Sequence, residues 1–260
     1  MNAVIPKVIG VVHLLPLPGA PNFGGSMDAI VERALKDCKT YHDNGLDSVI
    51  IENFGDAPFA SDKVPAVTIA AMTLSAAELR NQFPEIHFGI NVLRNDAESA
   101  LSIASVVGAE FIRVNVHVGA VVADQGVIQG KAYETLRLRK NLNSGVKIFA
   151  DVDVKHSAKI GDYGIKLQAA DALERGLADA IVITGSRTGE AVDMRQLREL
   201  REEFPKAKII IGSGANSVNV RELLKYADSV IVGTSIKVNR VTSNPIDSRR
   251  LREFLKAAKA

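Results

Sequence analysis

The stretch KIIIGSGANSVNVRELLKYADSVIVGTS, residues 208–235, reads as strand, helix and strand in succession. Lys208–Gly214 and Ser229–Thr234 are short β-branched runs that end in glycine or a small hydroxyl residue. Between them, Val218–Tyr226 has the mixed apolar and charged spacing of an amphipathic helix. A strand joined to a strand by a helix implies a parallel pair with a crossover.

The same unit recurs outward from this stretch. Further strands are expected at Val8–Leu14, Ser48–Asn53, His87–Leu93, Phe111–His117, Val146–Asp153 and Ala180–Gly185. Helices are expected at Met27–Asn44, Val64–Phe83, Asp96–Val107, Lys131–Leu142, Ile165–Arg175, Asp193–Phe204 and Asp247–Ala258. Eight unbroken strand–helix units favour a closed (β/α)₈ barrel, spanning residues 1–260 as one domain. The open doubly wound sheet is the rival, but Leu-Leu-Pro-Leu-Pro-Gly at 14–19 replaces its glycine-rich dinucleotide fingerprint. The connections after strands 1, 2, 4 and 5 are long: Leu15–Ser26, Phe54–Lys63, Val118–Gly130 and Val154–Gly164. In a barrel all four lie on the carboxyl-terminal face, where this fold carries its chemistry.

Composition narrows the partners. The 260 residues carry a formal net charge of +2 and no tryptophan, which gives nucleic acid neither an electrostatic nor a stacking platform. No apolar run approaches the length of a membrane span, and the amino terminus lacks a signal-peptide pattern, so the cytoplasm is the expected compartment. Cys38 is the single cysteine and is expected to be a buried small apolar residue.

The fourth strand alternates Ile112, Val114, Val116 and Val118 with Arg113, Asn115 and His117. The apolar parity must face the helices, so the polar parity points into the lumen. The fifth strand repeats this with Asp151, Asp153 and Lys155. Buried polar groups in such number must pair with each other or meet a ligand. Arg113 is expected to pair with Asp151 or Glu52. His13, Glu52-Asn53, Asn91 and Thr184 close other strands and complete a ring of acids, bases and amides. The candidate catalytic residues are His13, Glu52, Asn91, Asn115, His117, Asp151, Lys155 and His156. Carboxylates beside histidine and lysine shift one another's pKa, as proton transfer near neutral pH requires.

Strands 7 and 8 point to an anion. Gly212, Ser213, Gly214, Gly233, Thr234 and Ser235 let backbone N–H groups approach a phosphate, and a following helix start adds its dipole. Glycines at strand ends also serve tight turns that hold no ligand. No zinc-type ligand spacing is present, so no metal or other cofactor is expected, with Mg²⁺ admissible only as a companion of phosphate.

These residues resemble the BtpA family, which takes in the proteins called SgcQ. The resemblance runs through Val12–Gly19, Glu52–Phe59, Asn91–Asp96, Arg113–His117, Asp124–Gly126, Ala150–Val152, Val154–His156, Gly212–Gly214, Val232–Ser235 and Asn244–Asp247. It departs at Asp153, where histidine stands in many relatives. The resemblance implies a barrel, and it brings a family name taken from a role in photosystem I biogenesis.

Three functions follow. The first is an enzyme acting on a phosphorylated small molecule, a sugar phosphate or nucleotide. There Glu52, Asp151, Lys155 or His156 would move protons, and Asn91 and Asn115 would orient the substrate. Isomerisation, carbon–carbon lysis and N-glycosidic cleavage all suit that set. The second is a non-catalytic biogenesis or stability factor for a membrane complex, and the third a regulator that binds a phosphorylated ligand without turnover. A homo-oligomer is also expected. Ala66–Ala77 in the second helix carries no charge, and Leu101–Val107 in the third is similarly poor, which suits close approach by another helix.

Overall fold

The computed structural model describes residues 5–153, 157–161, 164–185 and 192–259. The strands are β1 (Val8–His13), β2 (Ser48–Glu52), β3 (His87–Asn91), β4 (Phe111–Val114), β5 (Ala120–Ala123), β6 (Gly126–Gln129), β7 (Lys147–Val152), β8 (Ser157–Lys159), β9 (Ala180–Ile183), β10 (Ile209–Ile211) and β11 (Ser229–Val232). The helices are α1 (Met27–Asp43), α2 (Ala66–Gln82), α3 (Ala97–Val107), α4 (Ala132–Asn141), α5 (Ile165–Ala170), α6 (Met194–Glu203), α7 (Val220–Leu223) and α8 (Ser248–Lys259). Eight strands close into a parallel barrel in the order β1-β2-β3-β4-β7-β9-β10-β11. This is the (β/α)₈ barrel that the strand–helix alternation predicts.

Strand parity divides the core in two. Val12, Val49, Ile51, Ile112, Val114, Ile148, Ile181 and Ile209 pack outward against the helices. Ile9, Val11, Ile50, Phe111, Phe149, Val182, Ile210 and Ile231 fill the lower lumen. Phe111 and Phe149 stack there with centroids 4.6 Å apart. Gly89 admits them, since a Cβ at that position would lie 2.0 Å from the Phe111 ring. The polar residues thus begin one layer higher, above an apolar plug.

The amino-terminal face carries one device three times. Glu110 accepts the Phe88 amide and pairs with Arg80 of α2. Asp179 accepts the Ile148 amide and pairs with Arg139 of α4 and Lys147. Asp228 accepts the Ile209 amide and pairs with Arg201 of α6 and Lys208. In each case a carboxylate just before one strand ties the preceding strand to the helix that leads into it. The arginine also caps carbonyls at that turn, as Arg201 does for Ala207 and Tyr226.

Two expectations need correction. The long loops after β4 and β7 are not irregular throughout, for β5, β6 and β8 form a small antiparallel sheet in the order β6-β5-β8. Its inward Val121 and Ile128 pack with Val116. The helix expected over Val218–Tyr226 shrinks to the single turn of α7, so its dipole adds little to the adjoining loop. The uncharged stretch of α2 fits the expectation of an apolar flank only in part through small residues, for Val67 and Leu74 are exposed on it as well. Among the described residues, no helix is long and apolar enough to cross a membrane.

Candidate functional site

The inward parity of the strands delivers polar side chains to the layer above the plug. Arg113 of β4 crosses the lumen and is buried. Its Nε donates to Asp151 Oδ1 at 2.8 Å and its Nη2 to Asp151 Oδ2 at 3.0 Å. Its Nη1 reaches Glu52 Oε1 at 3.4 Å. Asn91 Nδ2 donates to the same Glu52 oxygen at 3.0 Å, and Asn115 Nδ2 to Asp151 Oδ2 at 2.9 Å. Burial works against the Arg113 charge, but Asp151 and then Glu52 outweigh it and hold the guanidinium pKa above its ordinary value. The fork of Arg113 matches a carboxylate in bidentate geometry, which lysine could not.

Five predicted residues therefore fall into one network or beside it. Glu52, Asn91, Asn115 and Asp151 join Arg113, and His13 stands next to Glu52 because the two are register partners on β1 and β2. His13 packs edge-on against Phe54, with centroids 5.0 Å apart. Two acceptor atoms differ from the rest. Glu52 Oε1 is engaged twice, whereas no hydrogen bond of Oε2 occurs among the described residues, and Glu52 lines an open cavity. Asn115 Oδ1 is buried with no hydrogen-bond partner among the described residues.

His117 is not in this group. Regular β4 ends at Val114, so the alternation that would aim residue 117 into the lumen no longer holds. Its Nε2 lies 2.8 Å from the Gly176 carbonyl, and its buried Nδ1 has no hydrogen-bond partner among the described residues. Burial, partly opposed by the Gly176 contact, lowers its pKa. A carbonyl only accepts, so Nε2 carries the proton in that contact. Lys155 and His156 lie outside the described residues. Asp153 is described, and β7 ends one residue before it; its backbone has a φ of 56°, which ends the inward alternation there too.

The loops after β10 and β11 face this network. A cavity of about 440 Å³ is lined by His13, Glu52 and Arg113 on one side and by Ser213, Gly214, Thr234 and Ser235 on the other. Two glycines keep it open. A Cβ on Gly212 would lie 2.5 Å from Val182 and 3.0 Å from Arg113 Nη2, and one on Gly233 would lie 2.9 Å from the His13 ring. The Gly212 amide is committed to the Ile183 carbonyl and is not available to an anion. Ser213 also has a fixed duty, since its hydroxyl accepts the Gly185 amide. Of the amides that follow, those of Asn216, Val218 and Asn219 are taken by the Asn216 and Asn219 side chains. Thr234 opens a 3₁₀ turn over 234–236, whose first amides point outward from the turn.

Sequence reasoning missed several polar residues of this face. Arg94 is 6% exposed, and burial lowers its pKa against the opposing fields of Asp151 and Asp124. Asn95 fixes the loop after β4 by accepting the Val116 amide and donating to the Val116 carbonyl. Arg240, Arg250 and Glu253 also line the cavity. Arg94 and Asn95 stand three and four residues after Asn91 in the sequence, and that closeness was the available signal. Among the described residues no cluster of metal-ligating side chains occurs.

The chain matches the family described as the BtpA family over residues 5–260. An uncharacterized protein of Methanocaldococcus jannaschii is 46% identical over 251 residues, covering 96% of this chain and 94% of the relative. The photosystem I biogenesis protein BtpA of Synechocystis is 44% identical over 250 residues, covering 96% and 87%. Among solved structures, one described as native KDPGal has a TM-score of 0.61 at 12% identity, covering 97% of this chain and 94% of the other. Phosphoribosyl anthranilate isomerase from Thermus thermophilus has a TM-score of 0.58 at 10% identity, covering 97% and 98%. KGPDC from Streptococcus mutans has a TM-score of 0.58 at 13% identity, covering 98% and 97%.

Proposed function

This chain belongs to the BtpA family, and from that premise we propose that it is an enzyme acting on a phosphorylated small molecule by acid–base chemistry. One observation carries the reading: a single cavity joins Glu52, His13 and Arg113 to the loops of Gly214 and Thr234. The loops hold the phosphate through backbone N–H groups and the Ser213, Thr234 and Ser235 region. The rest of the ligand then lies over the Arg113 network. Glu52 moves the proton with Oε2, while Arg113 and Asn91 hold its other oxygen in place. Asp151 keeps Arg113 in position and Asn115 offers its free acceptor to a substrate donor. Lys155 and His156 belong to the same proposal as further proton carriers from the loop after β7. Structural neighbours with phosphate in the names of their compounds, such as thiamine phosphate pyrophosphorylase, agree with a phosphorylated ligand. That likeness bears on the fold alone.

The proposal includes self-association through α2 and α3, where Val67, Leu74 and Val106 stand exposed. The relative named for photosystem I biogenesis favours a second reading, an assembly factor that keeps the seat without turnover. Thermal-shift screening of the purified chain against sugar phosphates and nucleotides, followed by turnover assays of the hits, separates these readings. The enzyme reading expects a turned-over hit and at least a ~10²-fold loss of rate in Glu52→Gln at unchanged melting temperature. Ligand stabilisation without turnover by the wild type would favour the non-catalytic readings.

A further inference from the structure

Many of the donors on the loops after β10 and β11 are already engaged. Ser235 donates its hydroxyl to the Ala215 carbonyl, and the Thr234 and Thr242 hydroxyls share a hydrogen bond at 2.9 Å. The Gly212, Asn216, Val218 and Asn219 amides have partners as well. A phosphate on the remaining amides meets only partial charges. A cation beside it would add charge-assisted bonds, each roughly twice as strong as a neutral one.

Three arginines line the cavity: Arg113, Arg240 and Arg250. Arg113 is engaged by Asp151 and Glu52. Arg250 Nε lies 3.5 Å from Asp247 Oδ2, and Glu253 lines the cavity from the same helix. Arg240 differs from both. It is exposed, and among the described residues its side chain has no hydrogen-bond or carboxylate partner.

Its backbone is also unusual. Asn239 and Arg240 each have a φ of 56°, a left-handed conformation that arginine rarely adopts. Such conformations persist where the surroundings over-determine them. Here α1 supplies the bracing. Asp37 Oδ2 accepts from the wholly buried Lys237 Nζ at 2.8 Å, and its Oδ1 accepts the Ile246 amide at 3.3 Å. Arg33 Nη2 donates to the Ser243 carbonyl at 3.1 Å. Lys237 and Ile246 form an antiparallel bridge, which closes the stem of the loop 238–245. A braced loop thus holds an unneutralised cation at the cavity.

We infer that Arg240 is the cation of the phosphate site, pairing with the phosphate of a ligand seated on the Gly214 and Thr234 loops. This rests on the phosphorylated-ligand reading above and specifies which side chain meets the charge. The guanidinium fork matches two phosphate oxygens, so it orients the group as well as attracting it.

Calorimetric titration of the full chain with D-ribose 5-phosphate and with inorganic phosphate tests this. Arg240→Ala should weaken whichever probe binds by at least about tenfold, at an unchanged melting temperature. Arg252, exposed on α8, is not among the residues that line the cavity. Arg252→Ala removes the same charge and should leave affinity within about twofold, because solvent and salt screen it. Wild-type affinity in Arg240→Ala would overturn the inference while leaving the phosphate seat standing. So would an equal loss in Arg252→Ala, since net charge and not a contact would then be responsible. Failure of both probes to bind the wild-type chain at ~10 mM would overturn the seat itself, and the inference with it.

Discussion

Arg113 sets the electrostatic balance of the lumen, because two carboxylates face it and it is only 4% exposed. Replacing it with methionine keeps the volume but leaves Asp151 buried without its cation. Losing one partner of such a pair costs about 3–5 kcal/mol. Urea unfolding of Arg113→Met should show that loss, and the double variant Arg113→Met/Asp151→Asn should recover part of it. An unchanged midpoint in the single variant would show that the pair is not buried as described. His117 makes a different prediction. Its folded pKa lies below the ordinary 6.5 because burial penalises the charged ring. The unfolded chain therefore binds the extra proton first. The stabilising contribution is complete above pH 6.5 and is lost as pH falls from there through the folded pKa. The stability gap between wild type and His117→Gln should narrow between pH 7.5 and pH 5, roughly spanning that window. A gap independent of pH would mean that the ring is not held neutral.

At the scale of elements, the barrel is tied at its base and left open at its mouth. The Asp228 carboxylate meets Ile209 N–H, Arg201 and Lys208 at once, so β10, β11 and α6 share one anchor. Asp228→Ala strands these donors and should cost roughly 1.5–3 kcal/mol, the range for hydrogen bonds to charged groups. Ligand affinity should not change, since the anchor lies at the opposite end of the strands. Parallel chemical denaturation and binding measurements would check both halves. A weakened affinity with intact stability would contradict the division. The glycines of the mouth work the other way. Gly212 and Gly233 contribute space that the Arg113 and His13 side chains occupy, and a methyl group there would displace the groups that the site needs.

The molecule as a whole presents one conspicuously uncharged flank. Val67 and Leu74 on α2 are 43% and 48% exposed, and Val106 on α3 is 76% exposed. Copies that meet on this flank would cover these side chains. Light scattering at micromolar concentration should give a multiple of the 27.9 kDa chain mass. Val67→Glu with Leu74→Glu should return it to one chain mass at unchanged fold. A wild-type protein already at one chain mass would end the proposal.

The sequence alone determined the barrel, because its information is periodic. Eight β-branched runs and the helices between them admit one closed parallel arrangement, and strict alternation in β4 and β7 aimed Arg113 and Asp151 into the lumen. Glu52, Asn91 and Asn115 were legible for the same reason, each on the inward parity and apt to pair with a buried charge. Periodicity stops where regular strand stops, and beyond that point it says nothing of where a side chain goes. His117, three residues past the end of β4, meets the Gly176 carbonyl. The β5–β6 hairpin was hidden inside a connection, although Asp124-Gln125-Gly126 supplies its turn. Arg240 and Arg250 gave no signal beyond ordinary surface charge. Only the tertiary structure could bring α8 beside the loops of β10 and β11. Such contacts depend on how far a loop reaches and which helix face it meets, and no local residue spacing encodes either.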